Sequence, residues 1–336
     1  MIIDVHGHYT TEPTPLREFR AAQLRGESPS VHSFAARVSD DAIRESVQAN
    51  QLRVLRERGG DMMLFSPRAA GMEHHVPDAS VANAWAQVSN DMVHRVSEAF
   101  PERFAAVAQL PQTPDGNLDS VLAELRRTVS ELGFVGANLN PDPSGTWAGQ
   151  PLTDPAWFPV YELAEELDIP LMVHVSMACN PNFHTLGAHY LNADTSVFMQ
   201  FLQSDLFSRF PGLRFVIPHG GGAVPYHWGR YRGLAMRNDW QDPSELLRNV
   251  FFDTAVYHQP GIDLLLKVVP QSNLLFASEM LGAVRGADPE TGIEWDDTLT
   301  YLRNAELAGP EWDAITRANA LRVYPRLAQR IAEAAR

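Results

Sequence analysis

The chain has 336 residues, 45% hydrophobic and 20% charged, the composition of a soluble globular protein rather than a disordered or fibrous one. Its 27 basic residues against 41 acidic ones give a formal charge of −14 with no basic block, which argues against nucleic acid or an anionic membrane surface as partner. No apolar run nears the roughly 20 residues of a membrane span, and the single cysteine, Cys179, excludes an intrachain disulfide and any cysteine-rich zinc module. With no leader-like start, a cytoplasmic protein is expected.

The opening "MIIDVHGHYT" reads as a strand whose alternating faces put His6 and His8 side by side. Residues 9 to 60 are longer than a simple crossover requires and read as a lid or insertion joined to the first helix. "DMMLFSP" is a second strand with Arg68 just beyond it; its methionines read as core rather than as a cofactor box. His74 and His75 in "GMEHHVPD" read as a surface loop rather than the mouth of a site. In "VANAWAQVSNDMVHRVSEAF", Val81, Trp85, Val88, Met92 and Val96 return to one helical face, and His94 is an ordinary member of that helix. "RFAAVAQLP" is the third strand, "NLDSVLAELRRTVSELG" a helix stopping at Gly133, and "FVGANLN" the fourth strand, followed by Asn140. "TDPAWFPVYELAEELDIP" carries a cap at Asp154, Pro155 in its first turn, and an apolar stripe of Val160, Leu163, Ala164 and Leu167.

Farther on, "PLMVHVS" brings His174, "RFVIPHGG" brings His219, and "NLLFASE" brings Glu279, with "VFFDTA" as the strand before the last. "PGIDLLLKVVP" is a short helix holding Lys267, the only lysine, so Schiff-base chemistry and a metal-bridging modified lysine have almost no candidate. The C-terminal segment reads as helix interrupted at Pro325. Near-continuously apolar strands separated by helices predict an α/β fold, a (β/α)8 TIM-type barrel with an insertion after strand one and a C-terminal helical extension. One domain spans residues 1–336, and a doubly wound open sheet is the weaker alternative.

In such a barrel the active site lies at the C-terminal ends of the strands. Strands one, five, six and eight all end in metal-ligand residue types: His6 and His8, His174, His219 and Glu279. Each histidine alone could be a core residue satisfied by backbone, but their joint placement points to a metal centre. Three neutral imidazoles and a carboxylate suit one divalent ion, with zinc preferred over iron or manganese. Such an ion lowers the pKa of bound water from about 15.7 toward about 7. Cys179 has no adjacent base and reads as a buried or incidental thiol.

This arrangement resembles the amidohydrolase superfamily. With "NLN" where a lysine would follow strand four, the chain is similar to the mononuclear branch containing aminocarboxymuconate semialdehyde decarboxylase, although that branch usually carries aspartate where Glu279 stands. The blocks "HGHYT", "NLNPDPSG", "FHTLGAHYLNADT", "IPHGGGAVPYHWGRYRGL", "FFDTAVYHQPGIDLL" and "LLFASEMLGAVRG" resemble the 4-oxalomesaconate hydratases of the protocatechuate 4,5-cleavage route, over nearly the whole chain. The resemblance implies His6, His8, His174 and Glu279 as metal-site residues with His219 beside them, and a small tricarboxylic keto acid as substrate.

Conjugate addition of water to such a substrate needs an activated water, stabilisation of the developing enolate and a proton donor. Glu279 is the candidate for proton transfer, with Tyr190 and His219, both read as loop residues, for proton delivery or oxyanion binding. Arginine matches carboxylates bidentately, so Arg68, Arg230, Arg232 and Arg285 are candidate anchors. Asn140, Asn192, His184 and His189 are weaker polar candidates, and the two histidines of "HTLGAHY", five apart, do not share a helical face. A decarboxylase or hydrolase on the same scaffold, and a metal-stabilised binding protein, are the competing readings. A symmetric homo-oligomer, a dimer, is the expected assembly.

Overall fold

Each of the eight apolar segments becomes a strand in the computed structural model, which describes residues 1–31, 34, 37–183 and 187–334. The strands are β1 (Ile3–Tyr9), β2 (Met62–Pro67), β3 (Phe104–Gln109), β4 (Gly136–Leu139), β5 (Leu171–Val173), β6 (Phe215–Ile217), β7 (Val250–Asp253) and β8 (Leu274–Leu275). They pair in sequence order and in parallel. The last strand returns to the first: the Val5 N–H donates to the Phe276 carbonyl and the Glu279 N–H to the His6 carbonyl, both at 2.9 Å. A sheet closing on itself in this order is a barrel and rules out the doubly wound alternative.

Helices cover the outside where the apolar periodicity placed them. Ala79–Ala99 is capped by the Asp78 side chain and buries Trp85, Val88, Met92 and Val96, while Val81 is half-buried. Asp119–Ser130 ends before Gly133, which takes a positive φ of 71°. Asp154 caps the turn that leads into Phe158–Glu166, and Val160, Leu163, Ala164 and Leu167 are all buried. Among the described residues, the long connection after β1 holds the helices Thr14–Leu24, Asp40–Gln48 and Gln51–Arg58. No helix among the described residues is long and apolar enough to cross a membrane.

Two apolar layers result, one between strands and helices and one inside the barrel. The inner layer takes alternate strand residues: Met62 and Leu64 of β2, Ala105 and Val107 of β3, Met172 of β5, Phe251 of β7, then Leu275 and Ala277. Continuing that period by one step reaches Ser66, Gln109, His174, Asp253 and Glu279, so the apolar rows end in polar groups at the C-terminal rim. β1 follows a different course. Ile3 and Val5 belong to the inner layer but Tyr9 to the outer, because the register against β2 shifts between Asp4 and Gly7. This bulge reverses the alternation, which brings both His6 and His8 inward behind Val5.

The N-terminal end of the barrel is plugged by the C-terminal extension, whose helix Asn319–Val323 breaks at Tyr324 before Pro325–Ala334. Ala320, Val323, Tyr324 and Leu327 all join the inner layer. Tyr324→Ala is expected to destabilise the protein by about 3–5 kcal/mol, the range for deleting a large buried aromatic side chain. Denaturant unfolding measures the loss; turnover per folded molecule should stay at the wild-type level because the plug lies at the end remote from the histidines.

Candidate metal centre

The centre is built from strand ends. His6 and His8 come from β1, His174 follows β5, His219 follows β6, and Glu279 lies four residues beyond β8. All five are buried. The Nε2 atom of His8 lies 3.1 Å from Nε2 of His6 and 3.0 Å from Nε2 of His174. Glu279 spans the gap toward the fourth histidine, with Oε1 3.9 Å from His8 Nε2 and Oε2 3.6 Å from His219 Nε2. Ligand atoms of His6, His174, His219 and Glu279 also fall within 4.8 Å of one another.

The outward nitrogens fix the tautomers. His6 Nδ1 donates to Asp253 Oδ2 at 2.8 Å, and His174 Nδ1 to the Val175 carbonyl at 2.9 Å. His8 Nδ1 lies 2.8 Å from Ser66 Oγ, whose own proton can go to the Pro67 carbonyl at 3.1 Å, so the histidine is the donor. A neutral imidazole has one N–H, and in each ring it is committed at Nδ1. Burial, with the neighbouring imidazoles, holds His8 well below the usual histidine range and His174 at about 3, keeping both neutral. With each Nδ1 committed outward, the Nε2 atoms of His6 and His174 both face that of His8 at contact distance. A divalent cation is the group this donor set fits, and the Nδ1 partners orient the ligands as metal-binding histidines require.

His219 is held differently. Its Nδ1 bonds to Asp194 Oδ2 at 2.8 Å, while its buried Nε2 has no hydrogen-bond partner among the described residues. Burial alone would lower its pKa, but the Asp194 and Glu279 carboxylates outweigh that and lift it well above the usual range. Burial likewise acts to raise Glu279, and the surrounding imidazoles, His219 foremost, reverse it and hold the carboxyl well below the usual range. Ring centroids of His6, His8 and His174 lie 4.7 to 5.2 Å apart, whereas His219 stands 5.4 Å from His6 and 5.9 Å from His174. His219 is thus the outermost imidazole of the group.

Two local features make this possible. Tyr190 and Asp194 lie four apart on the helix Gly187–Leu202 and so share a face; Tyr190 stacks on the His219 ring at 4.4 Å while Asp194 bonds its Nδ1. That helix approaches the "HGGG" turn so closely that a Cβ on Gly222 would lie 2.5 Å from the Leu191 carbonyl. Glu279 itself adopts a positive φ of 49°, a strained conformation for a side-chain-bearing residue, and a Cβ on Gly282 would lie 2.7 Å from its carbonyl. Tyr257, from the turn after β7, sets its hydroxyl 3.2 Å from Glu279 Oε2 and 3.2 Å from the Ser278 carbonyl.

A cavity of about 210 Å³ opens over the histidines, lined by His8, His174, Tyr190, Glu279, Arg68 and Arg285 among others. Tyr190 and Glu279 also border a neighbouring chamber of about 540 Å³ that His219 and Tyr257 line. Of the four arginines singled out from sequence, Arg68 and Arg285 therefore reach the cavity. Arg230 and Arg232 do not: they are exposed on the outer helix Trp228–Asn238, where Arg232 faces Asp242 at 3.8 Å. Asn140 is buried and spent on structure, with its amide 2.9 Å from His74 Nδ1 and 3.3 Å from Ser176 Oγ.

Other positions depart from the sequence reading. Tyr190 and Asn192 are helical rather than in a loop, and Asn192 is exposed beside a separate groove with Trp147 and Phe183. His189 is buried against the same two rings. His184 lies outside the described residues. His74 is buried and bonded to the Leu110 carbonyl rather than on the surface, whereas Cys179 is exposed. Sequence reasoning missed Asp253, Asp194, Ser66 and Tyr257. Asp253 and Ser66 carry the same signal as the histidines, a polar residue ending an apolar strand; Asp194 and Tyr257 carry none.

The profile of the family described as Amidohydrolase matches residues 3–326. The chain is 54% identical over 333 residues to 2-keto-4-carboxy-3-hexenedioate hydratase of Sphingobium sp. (strain NBRC 103272 / SYK-6), covering 97% of each. Among solved structures it resembles 4-oxalomesaconate hydratase from Rhodopseudomonas palustris, with a TM-score of 0.92, 48% identity, and 100% of this chain and 99% of that one covered. At the level of fold alone it also resembles the manganese-bound dihydroxybenzoic acid decarboxylase from Polaromonas sp. JS666, with a TM-score of 0.73, 19% identity and 96% of each chain covered.

Asp253→Asn should weaken divalent-cation binding by about 10–100-fold, the usual cost of removing an outer partner of a metal-bound histidine. Competition with a chelator of known affinity measures it, and unchanged affinity would mean that the His6–Asp253 bond does not serve a metal.

Proposed function

Because this chain belongs to the amidohydrolase family, we propose that it is a metal-dependent hydro-lyase that hydrates 4-oxalomesaconate as its isomer 2-keto-4-carboxy-3-hexenedioate, the substrate in its hydratase relative's name, whose double bond is conjugated with the ketone, giving 4-carboxy-4-hydroxy-2-oxoadipate in aromatic degradation. The observation that carries this reading is the 54% identity to a hydratase, which runs over 97% of the chain. The family's decarboxylases share the scaffold at far lower identity, and fold alone does not select a reaction.

His6, His8, His174 and Glu279 hold the cation, which we assign as zinc from three neutral imidazoles and one carboxylate. When bound it supplies Lewis-acid polarisation and acidifies water toward neutrality. Glu279, fixed by Tyr257 and by its hydrogen-bonded backbone, accepts the water proton as the hydroxyl adds to the carbon β to the ketone. The double-bond electrons move to the neighbouring carbon and ketone oxygen. His219 and Tyr190 face that developing charge: Asp194 holds the imidazole from behind, and burial keeps the phenol above its usual pKa and therefore protonated. These two groups satisfy the enolate oxygen and return a proton to the α carbon. Arg68 and Arg285 take the substrate carboxylates at the mouth.

Metal-loaded protein incubated with 4-oxalomesaconate should bleach the conjugated absorbance and yield a product heavier by one water. Loss of carbon dioxide would instead establish a decarboxylase, and cleavage into two fragments a hydrolase. Glu279→Gln, assayed with its metal content restored, should lose about 10²–10⁴ in kcat if the carboxylate transfers the proton. Full activity in that variant would reduce Glu279 to a ligand.

A further inference from the structure

Behind Arg68 lies a second cavity, of about 470 Å³, between the ends of β1 and β2 and the helix Thr14–Leu24. Its apolar wall includes Tyr9, Leu16, Trp85 and Met177. Arg68 and Ala70 line both this cavity and the one over the metal centre, so the two adjoin through a single guanidinium-bearing segment.

The polar groups around it are unevenly satisfied. Arg20 is fully engaged, with Glu73 at 2.8 Å, Gln23 at 3.2 Å and the Met72 carbonyl at 3.1 Å. Glu12 is the opposite case. It is 8% exposed, its Oε2 is sealed from solvent, and its carboxylate accepts no hydrogen bond from any described residue. A carboxylate buried without a donor is costly, and with one oxygen sealed the remedy must come through the other, from the cavity it lines. Arg68 has no hydrogen-bond or ion-pair partner among the described residues, and Arg17 reaches only Thr14 Oγ1 at 3.3 Å. The cavity therefore offers an uncompensated acceptor and two available guanidinium groups around an apolar wall.

We propose that this cavity is a second small-molecule site for an aromatic carboxylate bearing a ring hydroxyl, and that its occupant draws Arg68 away from the substrate. The ligand's carboxylate matches the arginine fork, its ring covers the apolar wall, and its hydroxyl donates to Glu12. A simple anion would leave the wall and Glu12 unmet; an apolar molecule would leave both charges unmet. The volume falls within the range of about 300–1,000 Å³ usual for such sites. Binding does not depend on the reaction assigned above, whereas the effect on turnover rests on Arg68 anchoring the substrate.

The test is calorimetric titration of the metal-loaded protein with 3-hydroxybenzoate, with benzoate as control. Saturable binding is expected, weakened about tenfold or more both for benzoate and in Glu12→Gln. Met177→Trp, which fills the cavity and leaves Glu12 in place, should abolish it, so the result does not hang on one variant. In turnover assays 3-hydroxybenzoate should raise KM with kcat unchanged, and this inhibition should be lost in Glu12→Gln, whose uninhibited KM stays at the wild-type value. Absence of saturable binding, or equal affinity for wild type and Glu12→Gln, would overturn the site. Saturable, Glu12-dependent binding without a rise in KM would overturn the coupling through Arg68. Because calorimetry requires no turnover, failure of the site is distinguishable from failure of the hydratase reading.

Discussion

Nε2 of His8 lies 3.0 to 3.1 Å from Nε2 of His174 and of His6, and the Nδ1 of each of the three rings already has a partner behind it. That constraint organises the rest of the molecule. Imidazoles converging in this way fit a positive charge at their focus, and burial drives His8 and His174 further from protonation, which suits them to a metal ion. The barrel makes the convergence possible by carrying distant parts of the chain to one rim. The bulge between Asp4 and Gly7 is the necessary irregularity, since unbroken alternation after Val5 would have turned His6 and His8 away from the interior.

Around this rigid triad the remaining groups are set by strained or close-packed backbone. His219 and Glu279 both hold positive φ values, 52° and 49°, at the ends of strands whose hydrogen bonding fixes them. Such conformations persist where the surroundings over-determine them, here through the Glu279 N–H bond to His6 and the helix seated against Gly222. The outcome is a carboxylate suspended between His8 on one side and His219 on the other, with Tyr257 fixing its orientation. A glutamate reaches one methylene farther than the aspartate usual in the related branch, and here it spans both neighbours.

Much of this was legible in the amino-acid order. All eight strands fall within the apolar runs, because a buried parallel sheet demands runs of that kind, and the candidate metal ligands stand at the ends of those runs. What stayed hidden depends on tertiary approach. Asp194 reaches His219 only through the packing of its helix on a glycine turn, and Tyr257 reaches Glu279 across two strand ends. Residue type misled for Arg230 and Arg232, whose guanidinium groups suit carboxylates but lie on the outer surface of a helix, and for Asn140, whose amide is consumed by His74 and Ser176.

Diffraction data collected at the zinc absorption edge, from crystals grown with that metal, test the central claim most directly. One anomalous peak should lie among the Nε2 atoms of His6, His8 and His174 and the Glu279 carboxylate, with His219 beyond coordination distance. A peak bound by His219 in place of His8, or located away from these strand ends, would contradict it.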